Sequence, residues 1–222
     1  DFAMVFAVTD KEKRHRGGIT CFLVDRAMGW TSTRIPLHSS WSASEIVLDN
    51  VRVPDENVLG EVGRGFELAM SWIGNGRVRI PSRAVGQAER LLEIGLEYAK
   101  QRKACGQPIA DYQAIQWMLA DSAVEIEQVK WLTLMAAWKA DQGKDVRHEA
   151  SMAKLSGAQM VWRVADRMLQ LHGGMGYTRE VPIERVLREV RVYRIFEGTD
   201  EIQKRSIARN LLAGHATVGS WG

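Results

Sequence analysis

Cysteine is scarce in this sequence of 222 residues: Cys21 and Cys105 lie far apart and form no CxxC pair. This usage argues against a disulfide framework and is typical of a reduced, intracellular protein that is not secreted. None of the five histidines forms an HExxH or similar pair, and Cys/His clusters are lacking, so we expect no metal site. No run of about 18 apolar residues occurs, which argues against a membrane span.

An excess of one charge is also lacking. Thirty basic and 27 acidic residues are interleaved and leave a net charge of +3. The densest basic run, 11–16, is interrupted by Glu12 and has no interleaved aromatic residues, so we interpret it as a solvated turn and expect no nucleic-acid binding. With 45% hydrophobic and 26% charged residues, the composition is that of a globular protein.

Residues 1–60 have the sequence pattern of β-strands. Phe2–Val8 and Ile19–Asp25 are rich in β-branched and aromatic residues, and Thr31–Pro36 and Ser44–Leu48 continue the pattern. No segment of helical period interrupts them, which favours an antiparallel sheet or barrel piece over a parallel α/β sheet. The chain opens directly on the first of these strands without an initiator Met, so we expect a fragment that starts inside a domain.

From about residue 65 the apolar residues recur at helical spacing. We therefore predict a mainly α fold, in which an antiparallel β fragment (1–60) precedes an up-down four-helix bundle (61–222). The predicted helices are one that ends near Arg102, one over Asp111–Gln142, one stopped by Gly173-Gly174, a shorter one after Pro182, and a last one from near Thr199 to about Leu212.

The second predicted helix is apolar on two faces, and such a helix must be covered on two faces. We expect the first stripe to pack in the bundle core and the tryptophan stripe to meet a symmetry-related subunit. The first stripe consists of Ile115, Leu119, Ile126, Val129 and Ala136, and the tryptophan stripe consists of Trp117, Val124, Trp131 and Trp138.

The third predicted helix has one apolar side, and we place Lys154, Arg163 and Arg167 on its opposite side.

Two short motifs stand at helix ends. The segment 172–176 (HGGMG) follows a helix and matches neither GxGxxG nor GxxxxGK, so a helix C-cap is its simplest interpretation. Close backbone approach to a phosphate or an adenine is the alternative. Thr199 has the character of an N-cap, which makes Glu197 a loop carboxylate directly before a helix. The apolar stretch 192–196 before Glu197 could shield it from water, as a general base requires.

The order and spacing of these motifs closely resemble the acyl-CoA dehydrogenase family, over essentially the whole chain. The Gln…Gly-Gly and Glu-Gly-Thr motifs at this separation are specific to that family. The matching stretches are 49–60, 63–66, Gly76-Arg77 with 84–86, 102–108 with Gln113, 170–177 and 193–203. The resemblance implies an N-terminal helical domain, a middle β domain that ends with residues 1–60, and a C-terminal four-helix bundle, assembled as a homodimer or as a homotetramer of two dimers.

The resemblance also implies an activity with FAD as cofactor. By position, Glu197 matches the base that removes the α-proton of an acyl-CoA thioester while the β-hydride passes to flavin N5, giving a trans-2-enoyl-CoA. Gly198 would leave room for the thioester, and Arg77 matches a contact to the CoA portion. Arg102, Gln113, Gln170, Gly173 and Gly174 match FAD contacts made across the dimer, and Thr199 and Glu201 match contacts near the FAD pyrophosphate. An electron-transferring flavoprotein would reoxidise the flavin, in the bacterial cytoplasm or the mitochondrial matrix.

Three departures from the family pattern matter. Gly76 stands where members with the base on the first bundle helix carry Glu, which excludes that variant. Cys105 stands where Phe is usual, and this weakens an expected aromatic contact to FAD. The N-terminal domain and the early middle-domain loops are missing from this chain. An acyl-CoA oxidase and a non-catalytic helical subunit of the same fold are the alternatives, and retention of Glu197 with Gln170 argues against the second.

Overall fold

The computed structural model describes residues 1–40 and 42–219. The chain forms two compact units, Asp1–Asn75 and Gly76–Gly222, and the division falls inside the first long helix, α1 (Gly65–Gln101).

The first unit contains two antiparallel strand pairs. Strands β1 (Phe2–Val8) and β2 (Ile19–Asp25) pair so that Phe2 lies opposite Asp25 and Val8 opposite Ile19. Strands β3 (Thr31–Ile35) and β4 (Ala43–Val47) form the second pair. Side chains of β2 fill the core of this unit, whereas alternate side chains of β1 are exposed. The predicted antiparallel arrangement is confirmed.

Helices form most of the remaining chain, and the predicted mainly α fold is confirmed. A short hairpin of β5 (Lys103–Ala104) and β6 (Gln107–Pro108) follows α1. The later helices are α2 (Gln113–Asp141), α3 (Arg147–His172), α4 (Gly174–Tyr177), α5 (Ile183–Val190) and α6 (Asp200–Leu212). Short 3-10 turns cover Arg26–Met28, Asp55–Asn57, Ile109–Asp111 and Arg191–Arg194.

Helix α3 is the central helix of the second unit. It packs against α2, α5 and α6, and its Gly157 lies so close to α1 that a Cβ there would be 2.9 Å from the Pro81 Cβ. The prediction that Lys154 lies with Arg163 and Arg167 opposite the apolar side of this helix is wrong, because Lys154 is fully buried. A helix with neighbours on several sides buries a wider arc than the single apolar stripe that its sequence shows.

The two stripes of α2 have different surroundings. Ile126, Val129 and Ala136 of the first stripe are buried, as predicted. The side chains of Trp117, Trp131 and Trp138 are 60%, 67% and 50% exposed, so they do not belong to the core of this chain. None of the helices in the described part of the chain combines the length and the hydropathy of a membrane-spanning segment.

Candidate active site

Glu197 lies in the turn that leads into α6. Its φ is +54°, and Gly198 follows with a φ of +89°. A left-handed conformation is uncommon for a residue other than glycine and persists only where the surroundings impose it. On its N-terminal side, the ring of Phe196 stacks on the ring of buried Tyr193, with centroids 5.6 Å apart.

Buried side chains hold both carbonyl groups of this turn. The Gln203 side-chain amide donates to the carbonyl oxygens of Glu197 and Gly198, at 3.0 and 3.2 Å. The ammonium of Lys154 also donates to the Gly198 carbonyl. Thr199 caps α6, because its hydroxyl accepts from the Ile202 N–H at 3.3 Å, as the sequence predicted.

The Glu197 carboxylate lies against the backbone of α1 at Gly76. A Cβ at Gly76 would be 2.6 Å from the Cδ and one carboxylate oxygen of Glu197, and 2.7 Å from the other oxygen. Any side chain at position 76 would therefore displace the carboxylate. The Glu197 carboxylate can occupy this place only because residue 76 is a glycine.

A buried group of charges lies behind the turn. Burial lowers the pKa of Lys154 to about 8. The nearby carboxylates of Asp200, Glu197 and Glu201 favour the charged ammonium and raise the pKa of Lys154, Asp200 most strongly. The Arg77 guanidinium repels the ammonium and lowers this pKa further. All four groups therefore lie within electrostatic range of the Lys154 ammonium. The backbone N–H of Glu201 itself, and then the Thr199 hydroxyl, lower the pKa of the exposed Glu201.

Asp200 links this group of charges to α3 and to the 3-10 turn before Glu197. Its carboxylate accepts from Arg194 Nε at 2.8 Å and from the Gln159 amide at 3.2 Å. Sequence reasoning missed the roles of Lys154, Asp200 and Gln203. These three residues are polar and lie on the faces of α3 and α6 that pack against each other and become buried. Their polarity on those faces is the sequence feature that could have indicated the roles.

Arg77 borders a basic cavity of about 330 Å³. Its Nε is buried and has no hydrogen-bond partner within the described part of the chain. Two further guanidinium groups and an imidazole line the same cavity. The Arg147 guanidinium pairs with the Asp145 carboxylate, so Arg77 and Arg209 supply the positive charge that can accept an anionic group. The lining residues are Arg77, Arg147, Ser151, Ser206, Arg209, Asn210, Ala213 and His215.

Five of the other predicted site residues lie around the C-terminal end of α3. The Tyr98 ring of α1 stacks on the ring of His172, with centroids 4.1 Å apart, next to the α3 C-cap at Gly173. The Ile109 N–H donates to the Arg102 carbonyl at 2.8 Å, which joins the end of α1 to the start of α2. This cluster consists of Arg102, Gln113, Gln170, Gly173 and Gly174, all of them exposed.

The structure therefore divides the predicted site residues into two groups. One group lies together beside the N-terminal half of α3 and consists of Glu197, Arg77, Gly198, Thr199 and Glu201. The second cluster lies at the C-terminal end of α3, which rises roughly 24 Å over the 154–170 stretch. One chain does not bring the two groups into a single site.

A match to a protein-family model shows which family the chain belongs to. The model described as "Acyl-CoA dehydrogenase, C-terminal domain" matches residues 63–212, more than half of the chain. The chain belongs to the acyl-CoA dehydrogenase family. The relatives that it matches include short-chain acyl-CoA dehydrogenases, and one of the similar solved structures is an FAD complex.

Individual relatives match nearly all of this chain. (R)-Benzylsuccinyl-CoA dehydrogenase from Thauera aromatica is 42% identical over 97% of this chain and 54% of its own length. The CarC subunit of the caffeyl-CoA reductase-Etf complex from Acetobacterium woodii is 39% identical over 96% of this chain and 57% of its own. The solved structure of butyryl-CoA dehydrogenase from Megasphaera elsdenii has a TM-score of 0.88 at 36% identity, over 96% of this chain and 56% of that one. The chain thus spans about half the length of the curated relatives that it matches.

Proposed function

We propose that the protein containing this chain oxidises an acyl-CoA thioester to the trans-2-enoyl-CoA, with Glu197 as the base that accepts the α-proton. The observation that carries the proposal is the position of the Glu197 carboxylate, at the end of a strained turn and against the bare backbone of Gly76. A carboxylate fixed in this way can take a proton from a substrate carbon held beside it.

FAD fits the residues that this chain offers. Gly173 and Gly174 leave open space, since a Cβ at either position would meet no atom within 4 Å, and a flat or phosphorylated group can approach their backbone. Arg102, Gln113 and Gln170 supply exposed polar donors around them. Bound FAD supplies the hydride acceptor, flavin N5, for the substrate β-hydrogen. Thr199 and Glu201 would lie near the pyrophosphate of the FAD beside Glu197.

The distance between the two groups of residues supports an oligomeric enzyme. Because the Gln170 cluster lies far along α3 from Glu197, we propose that it contacts the FAD of a neighbouring subunit. The exposed tryptophan stripe of α2 would cover part of the interface in a homodimer or homotetramer. On this proposal, residues 1–60 complete the middle β domain and 61–222 form the bundle domain.

Arg77 and its cavity would bind the CoA portion of the substrate. The buried Arg77 Nε–H has no hydrogen-bond partner among the residues that the structure describes, and the cavity beside it is lined by Arg147 and Arg209. CoA carries several phosphate groups, and guanidinium groups are well suited to bind them. Gly198, which has no side chain beside Glu197, would leave room for the thioester.

We further propose an electron-transferring flavoprotein as the electron acceptor, and a bacterial cytoplasmic or mitochondrial matrix location. The CarC relative belongs to a complex with such a flavoprotein. That relative's name as a reductase also supports a second candidate function, in which the reaction runs in the opposite direction. Glu197 would then return a proton to the α-carbon of an enoyl-CoA.

An assay of the full-length protein with a panel of acyl-CoA thioesters and an artificial electron acceptor tests the function. The panel should vary in chain length, branching and aromatic or carboxylate substituents. We expect acceptor reduction with at least one thioester and formation of its 2-enoyl product. A second assay offers the matching 2-enoyl-CoA thioesters and a reduced artificial electron donor. Turnover in this assay alone would favour the reductase direction, and no turnover in either assay would contradict the proposal.

A further inference from the structure

Lys154 is a buried lysine whose hydrogen bond does not go to a carboxylate. It lies in the N-terminal half of α3 with no exposed surface, and its ammonium donates to the backbone carbonyl of Gly198. Moving an ammonium group out of water is costly, and an apolar side chain of similar length would fill the same space without that cost. A role in stability alone therefore does not explain why a lysine occupies this position.

The bond from Lys154 fixes the direction of a peptide group in the active-site turn. In a trans peptide the C=O and the following N–H point in opposite directions. Because Lys154 and Gln203 hold the carbonyls of Gly198 and Glu197 toward the interior, the N–H groups of Thr199 and Gly198 point away from it. The turn between α6 and the 3-10 helix is thus held from its buried side.

The conformation that these bonds hold is one that the chain would not adopt readily by itself. Glu197 and Gly198 both have positive φ, and left-handed geometry is unfavourable at a residue with a side chain. The φ of Glu197 decides where its side chain starts, and therefore whether the carboxylate reaches the space over Gly76. Loss of a donor behind the turn would release the carboxylate from this position.

We propose that Lys154 is a positioning residue for the reaction, which rests on the function proposed above. By holding the Gly198 carbonyl, its ammonium keeps the Glu197 carboxylate over Gly76, in place to accept the α-proton. The charged groups that face Lys154 are Asp200 and Glu201 of α6, Glu197 of the turn and Arg77 of α1. Lys154 acts through Glu197 and does not itself contact the reacting atoms.

Three variants of the full-length protein with bound FAD test the proposal. Lys154→Met removes the donor and the charge but keeps the length of the side chain. Lys154→Gln keeps an uncharged donor. Lys139→Met is the matched control, because Lys139 is another buried lysine, which pairs with Glu149 at 2.8 Å, away from the turn. Anaerobic flavin reduction in a stopped-flow instrument gives the rate at saturating acyl-CoA and the substrate Kd separately.

We expect Lys154→Met to reduce flavin at least about tenfold more slowly, with the substrate Kd within about threefold of the wild-type value. Lys154→Gln should recover part of the rate, and Lys139→Met should stay near the wild-type rate. A Lys154→Met rate within twofold of wild type would overturn the proposal. An equal loss of rate in Lys139→Met would also overturn it, because the loss would then follow from removing any buried lysine.

Amide hydrogen exchange of residues 196–203 separates this inference from the proposed function. We expect faster exchange in this segment for Lys154→Met and unchanged exchange for Lys139→Met. If no acyl-CoA reduces the wild-type flavin, the proposed function fails, and exchange alone then decides whether Lys154 holds the turn. Unchanged exchange in Lys154→Met would overturn the positioning role whatever the activity.

Discussion

Glu197 and Gly76 are matched in space: the carboxylate of Glu197 occupies the volume that a side chain on Gly76 would fill. A Cβ at Gly76 would lie only 2.6 Å from the Glu197 Cδ. The carboxylate is the far end of a flexible side chain, so it would move away from an added methyl group while the helix backbone stayed in place. A substitution at Gly76 should therefore affect activity more than stability.

Gly76→Ala tests this relationship, and Gly86→Ala is its control on the same helix. We expect Gly76→Ala to slow flavin reduction by roughly 10- to 100-fold, because small displacements of a catalytic group are costly. Gly86 is exposed and a Cβ there meets no atom within 4 Å, so Gly86→Ala should keep full activity and gain about 0.5–1 kcal/mol of helix stability. Equal activity of the two variants would show that the carboxylate does not need the space over Gly76.

Arg77→Gln should weaken the binding of acyl-CoA. Loss of a charge-assisted hydrogen bond costs about 1.5–3 kcal/mol, so we expect KM to rise at least about tenfold with kcat changed by less than threefold. Arg90, exposed on the same helix and paired with Glu93 at 2.8 Å, provides the control variant Arg90→Gln. Steady-state kinetics over a range of acyl-CoA concentrations would measure both constants. A fall in kcat without a change in KM would argue against a binding role for Arg77.

His172 should make the protein less stable in mild acid. Burial lowers the pKa of His172 below its ordinary 6.5, against the opposing effect of its bond with the Met168 carbonyl. The unfolded chain therefore binds a proton that the folded chain does not, and the free energy of unfolding falls as the pH drops through about 6.5 toward the folded-state pKa. Above pH 6.5 this contribution to stability is fully present.

His172→Phe keeps an aromatic ring against Tyr98 but removes the titrating group. Urea unfolding of the full-length protein at several pH values from 5 to 8 should show a smaller loss of stability in acid than for wild type. The exposed His15 provides the control variant His15→Gln, which should retain the wild-type pH dependence. The same acid dependence in His172→Phe and wild type would contradict the assignment to His172.

Trp131→Glu should weaken the proposed subunit interface. A carboxylate in a dry interface without a partner is strongly unfavourable, so we expect a smaller mass by light scattering at micromolar concentration. Ala140→Glu adds a charge at an exposed position about 180° around the same helix from Trp131, and should leave the mass unchanged. A wild-type mass for Trp131→Glu would place the subunit contact elsewhere.

Local sequence signals predict most of the fold. The β-branched and aromatic residues of Phe2–Val8 and Ile19–Asp25 predict both strands with their observed ends. Helix α6 begins after the N-cap Thr199 and helix α3 ends before Gly173, as predicted. Both signals are visible in the sequence because capping depends on residues that are close along the chain.

The buried polar residues behind the active-site turn could not be predicted in the same way. Lys154 lies more than 40 positions from Gly198 in sequence, and the bond between them exists only because α6 packs against α3. A single apolar stripe does not show how many neighbours a helix will have. The separation of Gln170 from Glu197 likewise depends on the length and placement of α3 in three dimensions.

Glu197→Gln in the full-length protein tests the proposed reaction most directly. The substitution keeps the size of the side chain but removes the proton acceptor. General-base assistance contributes about 10²–10⁴-fold, so we expect anaerobic flavin bleaching by a good acyl-CoA substrate to slow by at least 100-fold. FAD content and acyl-CoA binding should remain near wild type. Bleaching within a few-fold of the wild-type rate would show that Glu197 is not the base.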